Sequence, residues 1–212
     1  LAEEKAYALA QTGEIKKISK DKELTILLLE AREQANVPDN RQEGYSGLGI
    51  RVGVIDTGID SQHPMLLGSI SAQQDFSGEG TTADLQGHGT HIAGIIAGST
   101  KTGGQLNGIA PKATLINAKA FNQNGSGTIS SIIAALNFAL NPDGNTYTDD
   151  GARIVNMSFG ATGNFSGTAL ETAIREAEAE GVIIVASAGN CGYESPSASC
   201  QGYAGLTFPG SM

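Results

Sequence analysis

Several features are scarce in this chain of 212 residues, and each scarcity excludes something. Basic residues are few: 13 Lys and Arg against 22 Asp and Glu leave a formal net charge of -9 and a pI near 4.7. That is the wrong sign for nucleic acid or an anionic membrane surface as a partner. Long apolar runs are missing, since the longest, residues 183–185 with their flanks, is strand-sized and cannot span a bilayer. Leu1 opens an alanine- and charge-rich stretch without the apolar centre of a signal peptide, which decides nothing about compartment. With 6 prolines beside 29 glycines, the glycine excess points to tight turns and close backbone approach, not to a disordered linker. Cysteine is limited to Cys191 and Cys200, which lack the Cys-x-x-Cys pairing of structural zinc.

What is present suffices for one folded unit. A hydrophobic content of 40% can bury a single α/β core at this length, which is short for two. Residues 1–10 favour helix, and residues 14–18 and 24–29 read as two short strands, together too small for a core of their own. A polar stretch, 33–49, follows. Beyond it, residues 50–55, 113–118, 153–158 and 182–186 are short apolar runs bounded by turn residues, as expected of strands buried on both faces. Helices are expected between them. Residues 128–140 place Ile129, Ile132, Ile133, Leu136 and Leu140 on one stripe that ends at Asn141-Pro142. In residues 168–180, Thr168 and Glu171 fit a capping box, Leu170, Ala173, Ile174 and Ala177 form the apolar face, and Gly181 suits the terminating position. The alternation implies an α/β fold with a mainly parallel sheet.

Two motifs carry candidate chemistry: Val-Ile-Asp-Thr-Gly-Ile-Asp at 54–60 and Gly-His-Gly-Thr-His-Ile-Ala-Gly at 87–94. A carboxylate ending a hydrophobic strand, followed by a glycine-framed histidine, supplies what a general base and its orienting anion require. Parallel sheets collect ligands outside the carboxyl ends of their strands. Asp56, Ser158-Phe159-Gly160 and Ser187-Ala188-Gly189-Asn190 all fall there, and His88 would open the first helix. His88 and His91 could instead ligate a metal, but the Glu of a His-Glu-x-x-His site and a third ligand are both missing. His91 is better read as packed or hydrogen-bonded, Asp60 and His63 as structural or solvated, and Asn190 alone could be a left-handed turn residue.

Asp56-Thr-Gly, His88-Gly-Thr-His91, Asn156-Met-Ser-Phe-Gly160 and Ala188-Gly-Asn190, in this order, resemble the subtilisin-like serine proteases, the subtilases, over nearly all of 44–212. The resemblance implies a three-layer doubly wound fold and a serine endopeptidase. Asp56 would orient His88, the general base, and Asn190 would donate to the oxyanion. Gly125-Ser126-Gly127 and Ser158-Phe159-Gly160 would clamp a protein or peptide substrate in extended conformation. Ala188 and Gly189, with their neighbours, would line a specificity pocket of apolar or broad preference. The family's nucleophile lies in a Gly-Thr-Ser-Met-Ala segment, which does not occur here. Pro209-Gly-Ser-Met212 is no substitute, because it follows Asn190 too closely and lacks the Thr and the following helix. The chain is therefore expected to be a fragment, incomplete at its C-terminus and inactive by itself. The alternative is a non-catalytic protease-like binding or scaffold protein. A nucleotide-binding reading of Gly47-x-Gly49 fails because those glycines precede the first strand.

The resemblance extends to residues 1–25 as the end of an inhibitory propeptide, the chain's own partner, with 26–212 as the peptidase portion and cleavage between about 22 and 33. Cys191 and Cys200 close a short loop, consistent with a disulfide worth about 2 to 3 kcal/mol and a secreted protein, or with two free thiols. The chemistry requires no cofactor. Structural calcium is a candidate in the loop 99–108, where Asn107 offers an oxygen but no carboxylate is present and Met65 replaces a ligating Asp. The acidic loop 143–150 is a second candidate, better explained as solvated.

Overall fold

Strand formation follows the apolar runs, with each boundary close to expectation. A computed structural model describes residues 45–100, 107–162, 165–190 and 206–212. The expected propeptide and both cysteines lie outside the described residues. In chain order the elements are β1 (Arg51–Asp56), β2 (Ile70–Asp75), α1 (His88–Ala97), β3 (Thr114–Lys119), α2 (Ile129–Leu140), β4 (Ile154–Met157), α3 (Ala169–Ala179) and β5 (Ile183–Ala186). The strands form one parallel sheet ordered β2-β3-β1-β4-β5.

Three layers result. Helix α1 packs Ala93 and Ala97 against Val52, Val54 and Leu115 on one face, and α2 and α3 pack Leu136, Ala139, Leu170 and Ile174 against Ile55, Ile116 and Val155 on the other. The connection leaving β1 runs toward one edge of the sheet, and the connection leaving β3 runs toward the other. The carboxyl ends of these two neighbours, Asp56 and Lys119, therefore stand at the crevice where such folds bind ligands.

Three expectations need correction. First, β2 is an additional strand: Ser71, Gln73 and Gln74 interrupt its apolar pattern because it lies at the sheet margin, only partly buried and irregular in register between Ile70 and Ala72. Second, β5 is not buried on both faces. It is the outer strand of the described sheet, and Ile183 and Val185 are 59% and 48% exposed. Third, the α2 stripe is rotated. Ile132, Ala135, Leu136 and Ala139 are buried and Ile129 is exposed, so the buried face runs through the alanines.

Caps also redistribute. At α3, Thr168 Oγ1 accepts from Glu171 N, but the Glu171 carboxylate reaches Gly167 N, one residue ahead of the reciprocal box position. The full reciprocal box occurs at α2, where Ser131 Oγ accepts from Thr128 N and Thr128 Oγ1 from Ser131 N. Gly181 terminates α3 in the left-handed conformation its position suggested.

Candidate active site

Asp56 ends β1 inside the core, and its neighbours determine its role. Its Oδ1 accepts from the backbone N–H of Thr57 at 2.7 Å and lies 2.8 Å from His88 Nδ1. The Asp56 side chain is 4% exposed and the His88 ring 44%. An ionised carboxylate only accepts, so Nδ1 is the donor to Oδ1, and in that tautomer Nε2 is left as the acceptor. Among the described residues, no hydroxyl is hydrogen-bonded to that Nε2.

The position of His88 is set by the start of α1, whose N-cap, Gly87, has no side chain to offer. Three remote acceptors replace it. The first three helical N–H groups donate in turn to Gln86 Oε1 (2.9 Å), Thr57 Oγ1 (3.0 Å) and Asp84 Oδ2 (2.8 Å). Thr57 Oγ1 in turn donates to Asp84 Oδ1 at 2.9 Å, which also accepts from Gln86 N and Gly87 N. Burial alone would raise the Asp84 carboxyl, but the Gly87, Thr90 and Gln86 donors outweigh it and hold it below its usual range.

Asp84 therefore makes stability depend on pH. A carboxyl depressed in the folded state stabilises above its unfolded value, near 3.9 for Asp, and this contribution is lost as pH falls through the folded value. Asp84→Asn should lower stability by about 1 kcal/mol at pH 7, because both carboxylate oxygens accept and an amide offers only one, uncharged, oxygen in their place. Urea midpoints of the two proteins should converge as pH falls from neutral through the folded carboxyl value. A difference that stays constant down that series would exclude this role.

The other expected segments meet His88 in a continuous cleft. One part is lined by Asp56, Thr57, Phe121, Gly125, Ser158 and Gly160. The adjoining cavity, about 270 Å3, includes His88, Ser158, Phe159, Gly160, Gly189 and Asn190. Ser126 and Gly127 are exposed beside it in a loop closed by Asn122, whose Oδ1 accepts from Asn124 N and Ser126 N. Gly127 is required there, since a Cβ would lie 2.8 Å from Ala120 O. Ala188 lies next to Gly189, and its carbonyl accepts from Thr207 N.

Several sequence readings fall away from the cleft. His91 is exposed, not packed. Asp60 Oδ1 caps Gln62 N and His63 Nδ1 accepts from Met65 N, so both serve turns. Asp149 is ion-paired with Arg51 and Arg153, which makes its loop more than a solvated acidic turn. Asn107 Oδ1 is engaged by Thr100. Among the described residues no group of three or more His, Cys, Asp or Glu could hold a metal.

Lys119 is a residue the motifs did not indicate. Fully buried at the end of β3, it donates to Thr57 O and Phe121 O and pairs with Glu79 Oε2 at 3.0 Å. Its signal was a lone lysine after Thr-Leu-Ile-Asn-Ala.

A buried carboxylate holding an exposed histidine at the crevice of a doubly wound parallel sheet defines the class of site found in acid–base hydrolases. A profile of the subtilase family matches residues 47–208, and the chain belongs to that family. It is 40% identical over 150 residues to subtilisin DY of Bacillus licheniformis, covering 71% of this chain and 50% of that protein. Thermitase of Thermoactinomyces vulgaris is 34% identical over 151 residues, covering 71% and 50%. An alkaline protease of Shouchella clausii is 37% identical over 198 residues, covering 91% and 48%. The chain thus spans about half the length of these relatives.

Proposed function

We propose that these residues are the acid, base and oxyanion portion of a serine endopeptidase. The observation that carries this reading is the 2.8 Å contact between His88 Nδ1 and the buried Asp56 carboxylate, with the ring open to a cleft shared with Asn190. Asp56 holds the ring with Nε2 free to accept. His88 takes the proton from a serine hydroxyl as that oxygen attacks the peptide carbonyl, then returns it to the leaving amine. Asn190 donates its side-chain N–H to the developing oxyanion. In subtilisin itself, removing such a donor costs about 3 to 4 kcal/mol of transition-state stabilisation. The substrate lies extended between 125–127 and 158–160, its backbone paired as an added strand. Among the described residues, no Asp, Glu, Lys or Arg lines the cavity that holds Asn190.

Residues 1–25 are proposed as the end of a propeptide and 26–212 as peptidase. The alkaline protease match supports continuity with this region, because it covers 91% of the chain and so extends well ahead of residue 47. Secretion and a Cys191–Cys200 disulfide belong to the same reading.

The 212-residue chain alone should not hydrolyse peptides, because no described hydroxyl is bonded to His88 and the sequence lacks Gly-Thr-Ser-Met-Ala. The product of the complete reading frame should react with a fluorophosphonate and lose this reactivity in His88→Ala. Inhibitor-sensitive turnover by the chain alone would refute the first expectation. An unreactive full product would instead make the protein a protease-like binding module.

A further inference from the structure

Of the chain's three histidines, His88 alone has one ring nitrogen bonded to a carboxylate and the other open, among the described residues. His63 Nδ1 accepts from Met65 N at 3.3 Å, which puts the proton of the neutral ring on Nε2 and leaves no free lone pair. His91 is exposed on the same helix as His88, and among the described residues no carboxylate pairs with its ring. At His88 the Nδ1 proton is directed to buried Asp56, so the Nε2 lone pair lies on the side of the ring away from that carboxylate, and the ring is 44% exposed. Among the described residues no donor is bonded to it. The ring borders both parts of the cleft, with Phe121 and Phe159, centroids 4.9 Å apart, in one and Asn190 in the other. An imidazole so held is a nucleophile as well as a base.

We propose that this chain has an activity that needs no serine: His88 Nε2 itself takes the acyl group from aryl esters and passes it to water. The proposal rests on Asp56 and His88 being the acid and base of the proposed peptidase, and uses them without the third member. Nε2 gives its lone pair to the ester carbonyl carbon, and the C=O pair moves onto the oxygen, to which Asn190, in the same cavity, supplies an N–H. When the carbonyl reforms, the C–O bond breaks and the phenolate leaves with its electron pair. The acylated ring is cationic, and the Asp56 carboxylate on Nδ1–H offsets that charge. A water then adds to the same carbon, the N–C bond returns its pair to Nε2, and a carboxylic acid departs, the other proton of the water going to the phenolate. The sum is ester plus water to acid plus phenol. A peptide does not follow this route, because imidazole leaves a tetrahedral adduct far more readily than an amine anion does, and the adduct reverts.

The test follows p-nitrophenolate release from p-nitrophenyl acetate by the 212-residue chain, treated beforehand with a fluorophosphonate to silence any contaminating serine esterase. Turnover should exceed that of His88→Ala by about tenfold or more, a modest yield for a positioned catalytic group. His88→Gln replaces that variant if its amide spectrum shows it unfolded. His91→Ala should leave the rate unchanged. Asp56→Asn should lower it, because an amide that donates to Nδ1 leaves the ring proton on Nε2. With the trimethylacetyl ester, whose crowded carbonyl slows the attack of water, the acid-quenched chain should carry one acyl group by mass, on His88. Equal turnover by the chain and its His88 variant overturns the proposal, and so does His88-dependent turnover with no acyl group on His88. Cleavage of the matching p-nitroanilide does the same, because this route cannot expel an anilide. A chain inert to esters, whose complete reading-frame product reacts with the fluorophosphonate, leaves the peptidase reading standing, whereas inertness in both removes both.

Discussion

Gly89→Ala should destabilise the protein by about 2 kcal/mol and remove the Asp56–His88 hydrogen bond, although glycine to alanine inside a helix ordinarily stabilises by roughly 0.5 to 1 kcal/mol. The reversal follows from where α1 meets β1. A Cβ on Gly89 would lie 2.1 Å from Gly58 O and 3.1 Å from Asp56 Oδ1. Gly58 cannot retreat, because its Cα already faces the carbonyls of Thr82 and Ala83, with an ideal Cβ 2.7 and 2.9 Å from them, and its φ is +106°. The helix must therefore shift instead, carrying His88 away from Asp56 and Gly89 N away from Thr57 Oγ1. Gly94 is an internal control. It lies in the same helix, and a Cβ there meets nothing within 4 Å, so Gly94→Ala should stabilise. Urea denaturation of both variants, with the His88 Nδ1 proton resonance as the local probe, separates the two effects. Equal stabilities for the two variants would show that the close approach does not constrain the site.

Both candidate motifs were legible because each couples an unusual residue to an ordinary structural signal. Asp56 follows an apolar run, and the structure buries it at the end of that strand. His88 opens a helix of small residues, and Gly89, Ala93 and Ala97 do bury against the sheet. The residues that hold this pair in place were less visible. Thr57 and Asp84 act through contacts across 27 and 32 positions of sequence, and an Asp four residues before a histidine looks like any turn residue until its acceptors are traced. Thr207 carried no local signal at all: Gly160 and Gly189, in two segments that only the fold brings beside it, close on its side chain. The strands show the same division. Apolar runs located β1, β3, β4 and β5, but periodicity did not distinguish the enclosed β1 from the outer β5, nor reveal polar β2 at the margin.

Lys119→Met should cost about 3 kcal/mol, at the lower end for removing one partner of a buried ion pair, and its structural effect should reach both walls of the cleft. The ammonium has three protons and three partners: Thr57 O, Phe121 O and Glu79 Oε2. Thr57 adjoins the acid, and Phe121 begins the loop that leads to Gly125, so one side chain ties the turn after β1 to the proposed substrate-binding edge. Glu79 extends the tie, because its Oε1 accepts from Gln123 N at 2.9 Å. That bond first, and then Lys119, hold the Glu79 carboxyl below its usual range. Methionine matches the length and apolar stem of lysine, so the variant isolates the three polar contacts from packing. Two backbone carbonyls lose their buried donor and a carboxylate loses its counter-charge. Chemical denaturation should register the loss, and amide shifts should move in residues 121–127 and at Thr57 while those of the distant α3 remain in place. Glu79→Gln tests the direction of the coupling: the amide can still accept from Gln123 N, so the 121–127 shifts should be smaller than in Lys119→Met. A Lys119→Met protein within about 0.5 kcal/mol of the parent would show that hydration of the site replaces the ammonium, leaving Asn122 and the Glu79 bond to Gln123 N to anchor the proposed substrate-binding edge.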